Sequence, residues 1–421
     1  MDKFVVEGPA RLEGKVAVGG SKNAALPMMV AALLAEGPSH LTRVPELRDI
    51  RTLGRLLGML GARITPGDGS LTIETPVLDS VEAPYDLVKT MRASVYVLGP
   101  LLARAGRARV SLPGGCAWGP RPVDLHIKGM RALGARVEIE HGYIVAETDG
   151  LTAADIHLDI ASVGATANLM MAATGARGTT RITNAAGEPE IPALGDFLNA
   201  MGAGVRGAGT PEITVEGGRP LRGAEAPVIP DRIEAGTFLV AAALTGGDVT
   251  ANGCEPGHLT AALEKLGEAG AEVTRGDDWV RVRAGGRPRA LRITTDFYPG
   301  FPTDLQAQFM ALASVAGGAS TIREEIYRDR FTHVAELARL GADIHLDDNV
   351  AVVEGVERLS GARVMATDLR ASAALVLAGL AATGETHISR VYHIDRGYER
   401  MERKLAALGG TVRREDEPLV T

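Results

Sequence analysis

Two sets of residues have the types and spacing to do chemistry. The stretch LPGGCAWGPRPVD, residues 112–124, carries one of the two cysteines and one of the two tryptophans of the chain. It places Cys116 close in sequence to Arg121, on a loop rich in Gly and Pro. A nearby cation lowers a thiol pKa, so Cys116 is a candidate nucleophile or proton donor. A bland alternative is an inert core cysteine, against which the Gly-Gly and Pro-rich flanks argue. The second set sits where a series of apolar helices begins: Lys22 with Asn23, then Arg92, Gly164, Arg232, Asp304 and Arg370. Helix N-termini carry unpaired N–H groups and attract anions. Arginines at such ends oppose the dipole, which makes sense if an anion binds among them. The alternative is a row of solvated surface charges beside helix caps.

These positions follow from an internal repeat. The phrases MLGARIT, ALGARVE, AMGAGVR, EAGAEVT, RLGADIH and ALGGTVR centre on Gly61, Gly134, Gly202, Gly270, Gly341 and Gly409, at steps of 73, 68, 68, 71 and 68 residues. Each phrase closes a helix at Gly and enters an alternating strand. Upstream, each copy has a second turn at Gly37, Gly106, Gly178, Gly246, Gly318 or Gly384. An apolar helix precedes that turn and a short strand follows it. The apolar helices read as buried all round and the second helices as amphipathic. Six copies divide into two sets of three. The expected domains are 22–229, and 1–21 with 230–421, the N-terminal KFVVEG strand completing the last copy. If both domains point their buried helices the same way, six helix mouths face one cleft. In five copies 19 to 21 residues separate the strand's last apolar residue from the repeat glycine; in the second copy Val110 to Gly134 is 24. The extra residues fall in PGGCAWGPRP, so the Cys loop is an enlarged copy of a repeated loop, a place where lids and binding residues are found.

Composition narrows the function classes. The net charge is −7, with no Lys/Arg block, which argues against nucleic acid as the main partner. No apolar run approaches the roughly 20 residues that span a bilayer, and the N-terminus does not read as a signal peptide. Two cysteines in 421 residues point to a reducing cytoplasm. The nine histidines show no metal-ligand spacing, so no metal is expected. GAGVRG, residues 202–207, matches a dinucleotide fingerprint but runs from helix to strand, the reverse of such a site.

The motifs GGSKNAALP, MRAS, PGGCAWGPRPVDLH, SVGAT, DRIEAGTF, FPTDLQAQ, DLRASAALV and YHIDRGYER together resemble the UDP-N-acetylglucosamine 1-carboxyvinyltransferases, within the enolpyruvyl transferase family. They occur in order, and the resemblance runs from residue 1 to about 412. It implies a two-domain inside-out α/β barrel fold, three copies per domain, with the active site in the cleft between domains. It implies transfer of the enolpyruvyl group of phosphoenolpyruvate to the 3-hydroxyl of UDP-N-acetylglucosamine with loss of phosphate, the first committed step of peptidoglycan synthesis, with no cofactor. Carried over by motif, Cys116 is the general acid and the site of a covalent adduct, and Asp304 accepts the sugar hydroxyl proton. Lys22 and Arg121 hold phosphate, and Arg396 holds carboxylate. Asn23, Arg92, Pro122, Val123, Asp124, Leu125, Ser162, Val163, Gly164 and Ile326 contact the nucleotide sugar. Arg370 adds a further cation, and Asp368 stands in the second catalytic neighbourhood. Two features depart from the family pattern: Ile160, where some members have lysine, and Trp118 in the lid. A relative that shares fold and donor, 5-enolpyruvylshikimate-3-phosphate synthase, uses no loop cysteine, and a silent nucleotide-sugar-binding scaffold would not need the whole set of charged residues. Oligomeric state is left open.

Overall fold

A computed structural model describes residues 2–89, 91–112 and 123–416, the side chain of Arg92 excepted. Cys116, Trp118, Arg121 and Pro122 lie outside the described residues. The described chain forms two compact units: a central unit of residues 20–229 and a terminal unit made of residues 2–19 and 230–416. The first crossing, expected at Lys22, falls instead between Gly19 and Gly20. Two contacts explain the shift. The Ser21 amide donates to Ile229 O at 2.7 Å, and Gly20 packs so closely on Arg43 that an added Cβ would lie 1.8 Å from its carbonyl oxygen.

The repeat phrases are six helix stops of one design. Gly61, Gly134, Gly202, Gly270, Gly341 and Gly409 all have φ between +90° and +108°. In the first, Ala62 N donates to Leu57 O and Gly61 N to Gly58 O, the paired bonds of a Schellman stop, and the other five copies repeat both bonds. An L side chain is strained at such a φ, which is why glycine recurs there. The upstream turns are less uniform. Gly106, Gly178, Gly246, Gly318 and Gly384 have positive φ, and Gly37 does not. There the helix Lys22–Ala31 tightens into a 3-10 turn, Ala32–Leu34, and the Arg104 guanidinium donates to Leu33 O and Ala35 O. A side chain thus satisfies the carbonyls that a left-handed residue serves elsewhere.

Each copy contributes one four-stranded sheet with the same ladder, one parallel pair followed by two antiparallel pairs. In the third copy Asp155–His157 lies parallel to Thr179–Thr183, with the buried helix Val163–Thr174 as the crossover. The two crossings between units exchange edge strands. Glu13–Ala17 precedes the helix Lys22–Ala31 but pairs with Asp248–Asn252, and Glu225–Pro227 precedes the helix Arg232–Leu244 but pairs with Ser39–Thr42. The N-terminal strand Asp2–Gly8 lies between Gly384–Ser389 and Thr411–Asp416, antiparallel to both, and so completes the sixth sheet.

Beneath the sheets run the apolar helices, buried along almost their whole length. They begin within one residue of where the register predicts, at Lys22, Arg92, Val163, Arg232, Thr303 and Leu369. The second and fifth open as 3-10 turns, Arg92–Val97 and Thr303–Leu305. Ser21, Ser162, Asp231 and Asp368 cap the other four through their side-chain oxygens. The polar residues at the helix mouths are therefore held by caps at the ends of rigid, buried rods.

Candidate active site

In the terminal unit the mouths of the fifth and sixth apolar helices bring charge together. Asp304, in the turn Thr303–Leu305, accepts from Arg330 Nη1 at 2.8 Å through Oδ1. Its Oδ2 accepts from Arg370 Nε at 3.1 Å and lies 3.1 Å from Arg370 Nη2. Arg330 is 6% exposed and Arg370 2%. Burial opposes both positive charges. On Arg330 it is outweighed by Asp304, Asp368 and Glu324, and on Arg370 by Tyr398, Asp304 and Asp231, so both pKa values are raised. Among the described residues Arg370 Nη1 is buried with no hydrogen-bond partner. Asp368 caps its helix by accepting from Arg370 N at 2.8 Å and Ala371 N at 3.1 Å, and takes Thr332 Oγ1 at 3.2 Å.

A fully buried carboxylate supports this cluster. Glu324 accepts from Thr295 Oγ1, Ile326 N and Tyr327 N through Oε1, and from Thr303 Oγ1 through Oε2, all at 2.8 or 2.9 Å. Thr303 Oγ1 in turn receives Arg330 Nη1 at 2.9 Å. One acid therefore fixes the Ile326 loop, the turn that carries Asp304, and the arginine paired with it. Arg396 ends the 3-10 turn Val391–Arg396 and is half-buried. The preceding Asp395 is held by Arg414, which also pairs with Asp2 on the N-terminal strand.

In the central unit Lys22 is buried, its Nζ 3.3 Å from Asp49 Oδ2, and Asn23 is half-buried beside it. Ser162 Oγ accepts from Ala165 N at 3.3 Å, so Ser162, Val163 and Gly164 form the mouth of the third apolar helix. The helix Asp124–Ala132 packs against it, with Val123 at its cap, Asp124 exposed and Leu125 buried. Their junction is His126. Asn168 Oδ1 accepts from Gly99 N, so its Nδ2 is the donor to Val95 O and to His126 Nδ1. The imidazole therefore carries its proton on Nε2. A Cβ added at Gly164 would lie 3.4 Å from that nitrogen, an ordinary contact, so the ring rests directly against the helix mouth. Ile160 is 55% exposed, next to Asp159, which pairs with Lys128.

The structure thus brings together Asp304, Arg370 and Asp368, links Ile326 to them through Glu324, and sets the helix of Asp124 and Leu125 against Gly164 through His126. Arg92's side chain, Cys116, Arg121 and Pro122 lie outside the described residues. Sequence reasoning missed Arg330, Glu324, Tyr398, Asp49 and His126. Arg330 had a usable signal: it lies between the strand Ala319–Arg323 and the helix Val334–Arg339, the slot that the Cys loop occupies in the second copy. Cys254 is buried, its Sγ donates to Ala251 O, and burial pushes the thiol pKa up, which fits a structural role. Among the described residues, no cluster of three or more His, Cys, Asp or Glu side chains is placed to hold a metal, and no helix is long and apolar enough to cross a membrane.

The scaffold is a sixfold repeated α/β unit, and at its helix mouths two buried arginines meet one carboxylate. Residues 6–405 match the EPSP synthase (3-phosphoshikimate 1-carboxyvinyltransferase) family, and the chain belongs to that family of enolpyruvyl transferases. Within it, the chain is 57% identical over 419 residues to the UDP-N-acetylglucosamine 1-carboxyvinyltransferase of Trichlorobacter lovleyi, covering 99% of this chain and 100% of the relative. The protein of the same name from Geobacter metallireducens is 56% identical over 418 residues, covering 99% and 100%. Among solved structures, the enolpyruvyl transferase NikO from Streptomyces tendae superposes with a TM-score of 0.88 at 27% identity, covering 99% of each chain. EPSP synthase from Acinetobacter baumannii, at 20% identity and a TM-score of 0.76, covers 99% of this chain and 100% of its own and shares the fold.

Proposed function

We propose that this chain transfers the enolpyruvyl group of phosphoenolpyruvate to the 3-hydroxyl of UDP-N-acetylglucosamine and releases phosphate, the first committed step of peptidoglycan synthesis. The observation that carries the reading is Asp304 held between buried Arg330 and Arg370, with one nitrogen of Arg370 left without a partner among the described residues. The identity to carboxyvinyltransferases of this specificity supports it. The same reading takes each unit as an inside-out α/β barrel, helices within and strands without, and places the reaction in the cytoplasm.

The chemistry assigns work to each group. Protonation of the donor's CH2 carbon by Cys116 leaves a cation-like carbon, which the sugar oxygen attacks as its proton passes to Asp304. Loss of a proton from the new methyl group and departure of phosphate restore the vinyl group. The donor brings a carboxylate and a phosphate, and the acceptor a diphosphate, so preorganised cations are the main lever. Lys22 and Arg121 take phosphate, Arg396 carboxylate, and Arg370 a further anionic oxygen. Asn23, Arg92, Pro122, Val123, Asp124, Leu125, Ser162, Val163, Gly164 and Ile326 hold the nucleotide sugar. A carboxylate bonded to two guanidiniums is a weak base. An incoming anion that draws an arginine toward itself frees an Asp304 oxygen for the hydroxyl proton, so donor binding switches the base on.

Intact-protein mass spectrometry with phosphoenolpyruvate tests donor and site together. An adduct mapped to Cys116 is expected. Phosphate release with each acceptor tests specificity: turnover with shikimate 3-phosphate and none with UDP-N-acetylglucosamine would overturn the assignment.

A further inference from the structure

Tyr398 is the largest fully buried side chain of the terminal unit, 1% exposed, and its hydroxyl sits where three apolar helices meet. Its oxygen lies 3.0 Å from Thr237 Oγ1 and 3.1 Å from Gln308 Nε2, and its ring centre is 5.3 Å from the guanidinium carbon of Arg370. Thr237 belongs to the helix Arg232–Leu244, Gln308 to Gln306–Ala313, and Arg370 to Leu369–Ala381.

Counting protons fixes the direction of these bonds. Thr237 has one hydroxyl hydrogen and gives it to Ile233 O at 2.8 Å. Gln308 Nε2 donates to Thr237 Oγ1 at 3.1 Å and to the phenol oxygen. Tyr398 must therefore donate its own hydrogen to Thr237, and its lone pairs face Gln308 and the Arg370 guanidinium. Burial pushes the phenol pKa up, with Arg370 opposing, so the group keeps the proton this arrangement requires. Arg370 is then gripped from two sides. Asp304 takes Nε and Nη2, and the phenol oxygen faces the guanidinium, while Nη1 stays buried without a partner among the described residues.

We propose that Tyr398 is a positioning residue for the donor site: the Ile233–Thr237–Tyr398 relay sets the rotamer of Arg370 so that Nη1 meets an anionic oxygen of phosphoenolpyruvate. This rests on the reading of the site given above. Tyr398→Phe keeps the ring and removes only the oxygen. Because a hydrogen bond to a charged group is worth about 1.5–3 kcal/mol, the KM for phosphoenolpyruvate rises about tenfold or more, while the KM for UDP-N-acetylglucosamine stays put. In an Arg370→Lys background the same change has no further effect on the donor KM, since the group it positions is gone. Thr237→Val, which leaves the phenol in place but removes the acceptor for its proton, gives a smaller rise of the same kind and covers the case in which Tyr398→Phe fails to fold. Two results overturn the proposal: variants that lower the melting temperature but leave the donor KM unchanged, or additive effects of Tyr398→Phe and Arg370→Lys. If Arg370→Lys by itself leaves the donor KM untouched, the donor-site assignment of Arg370 fails as well. That outcome is distinct from Arg370 mattering and Tyr398 not.

Discussion

Buried Arg330 and half-buried Asp304 form an ion pair, Nη1 to Oδ1 at 2.8 Å, although one lies in a loop and the other in the opening turn of a helix. Breaking a fully buried pair costs about 3–5 kcal/mol; the loss here is smaller, because Asp304 is partly exposed and keeps Arg370. Arg330→Gln is expected to lose both stability and turnover, whereas Arg330→Lys keeps the charge and recovers most of the stability. Arg330 Nη1 alone serves both Thr303 and Asp304, and the ammonium of a shorter lysine does not reach the same point. Urea unfolding and steady-state kinetics on the two variants separate these effects. A fully active Arg330→Gln would show that Asp304 does not depend on it.

Glu324 accepts four hydrogen bonds in a site with no exposure. Glu324→Gln places amide hydrogens where acceptors are needed, and each broken bond costs about 1–3 kcal/mol. The KM for UDP-N-acetylglucosamine should rise, because Ile326 is anchored through its own N–H to this side chain. Thr303→Val, which removes the Glu324 Oε2 and Arg330 bonds but leaves those to Thr295, Ile326 and Tyr327, should lower kcat and leave that KM near its starting value. Equal effects on both parameters in both variants would refute this division.

Acid should loosen the terminal unit through His333. Burial, with Arg330 adding to it and Asp368 opposing, lowers its pKa from 6.5 to about 4. The folded state thus holds the ring neutral while the unfolded chain protonates near 6.5. The stability this confers is present above pH 6.5 and is lost as the pH falls from there toward 4, about 3 kcal/mol in all. His333→Leu removes the titration and should flatten the stability profile over that window. An unchanged slope between pH 6.5 and 4.5 in urea unfolding would assign the acid sensitivity to other groups.

Two glycine substitutions isolate backbone conformation. Gly341 has φ +91° and open space around its Cβ position, so Gly341→Ala is penalised by conformation alone, about 1 kcal/mol. Gly37 lies outside the left-handed region, and its Cβ would make an ordinary contact at 3.8 Å with Gly223 N. Gly37→Ala should be neutral or slightly stabilising. Thermal unfolding of the pair decides it, and equal losses would remove the left-handed turn as the reason for the repeat.

How much of this was legible in the sequence depended on how local the cause was. A Schellman stop is written in a few consecutive residues, so six recurring glycines announced six helix ends, and the mouths of the buried helices followed within a residue or so. Gly37 misled because its helix end is satisfied by Arg104, a side chain from the next copy that no local pattern reveals. Arg330, Glu324 and Tyr398 escaped for the same reason. A loop arginine, a strand-end acid and a tyrosine acquire meaning only when packing sets them against Asp304 or Arg370. Asp304 and Arg370 were legible because a charged residue at the start of an apolar helix conflicts with its surroundings, and that conflict repeats on one register.

The pairing of Asp2 with Asp416 has a consequence for how the protein is made. The described part of the central unit lies between residues 20 and 229, and its last strand, Glu225–Pro227, is made well before Thr411–Asp416. Domains emerging from the ribosome tend to fold as they are finished, so chains arrested well beyond residue 229 should already resist protease within it. The strand Asp2–Gly8 is translated before the central unit yet has no sheet to join until Gly384–Ser389 and Thr411–Asp416 exist. Its Phe4, Val5 and Val6, buried in the finished unit, stay without their sheet until those distant strands are made.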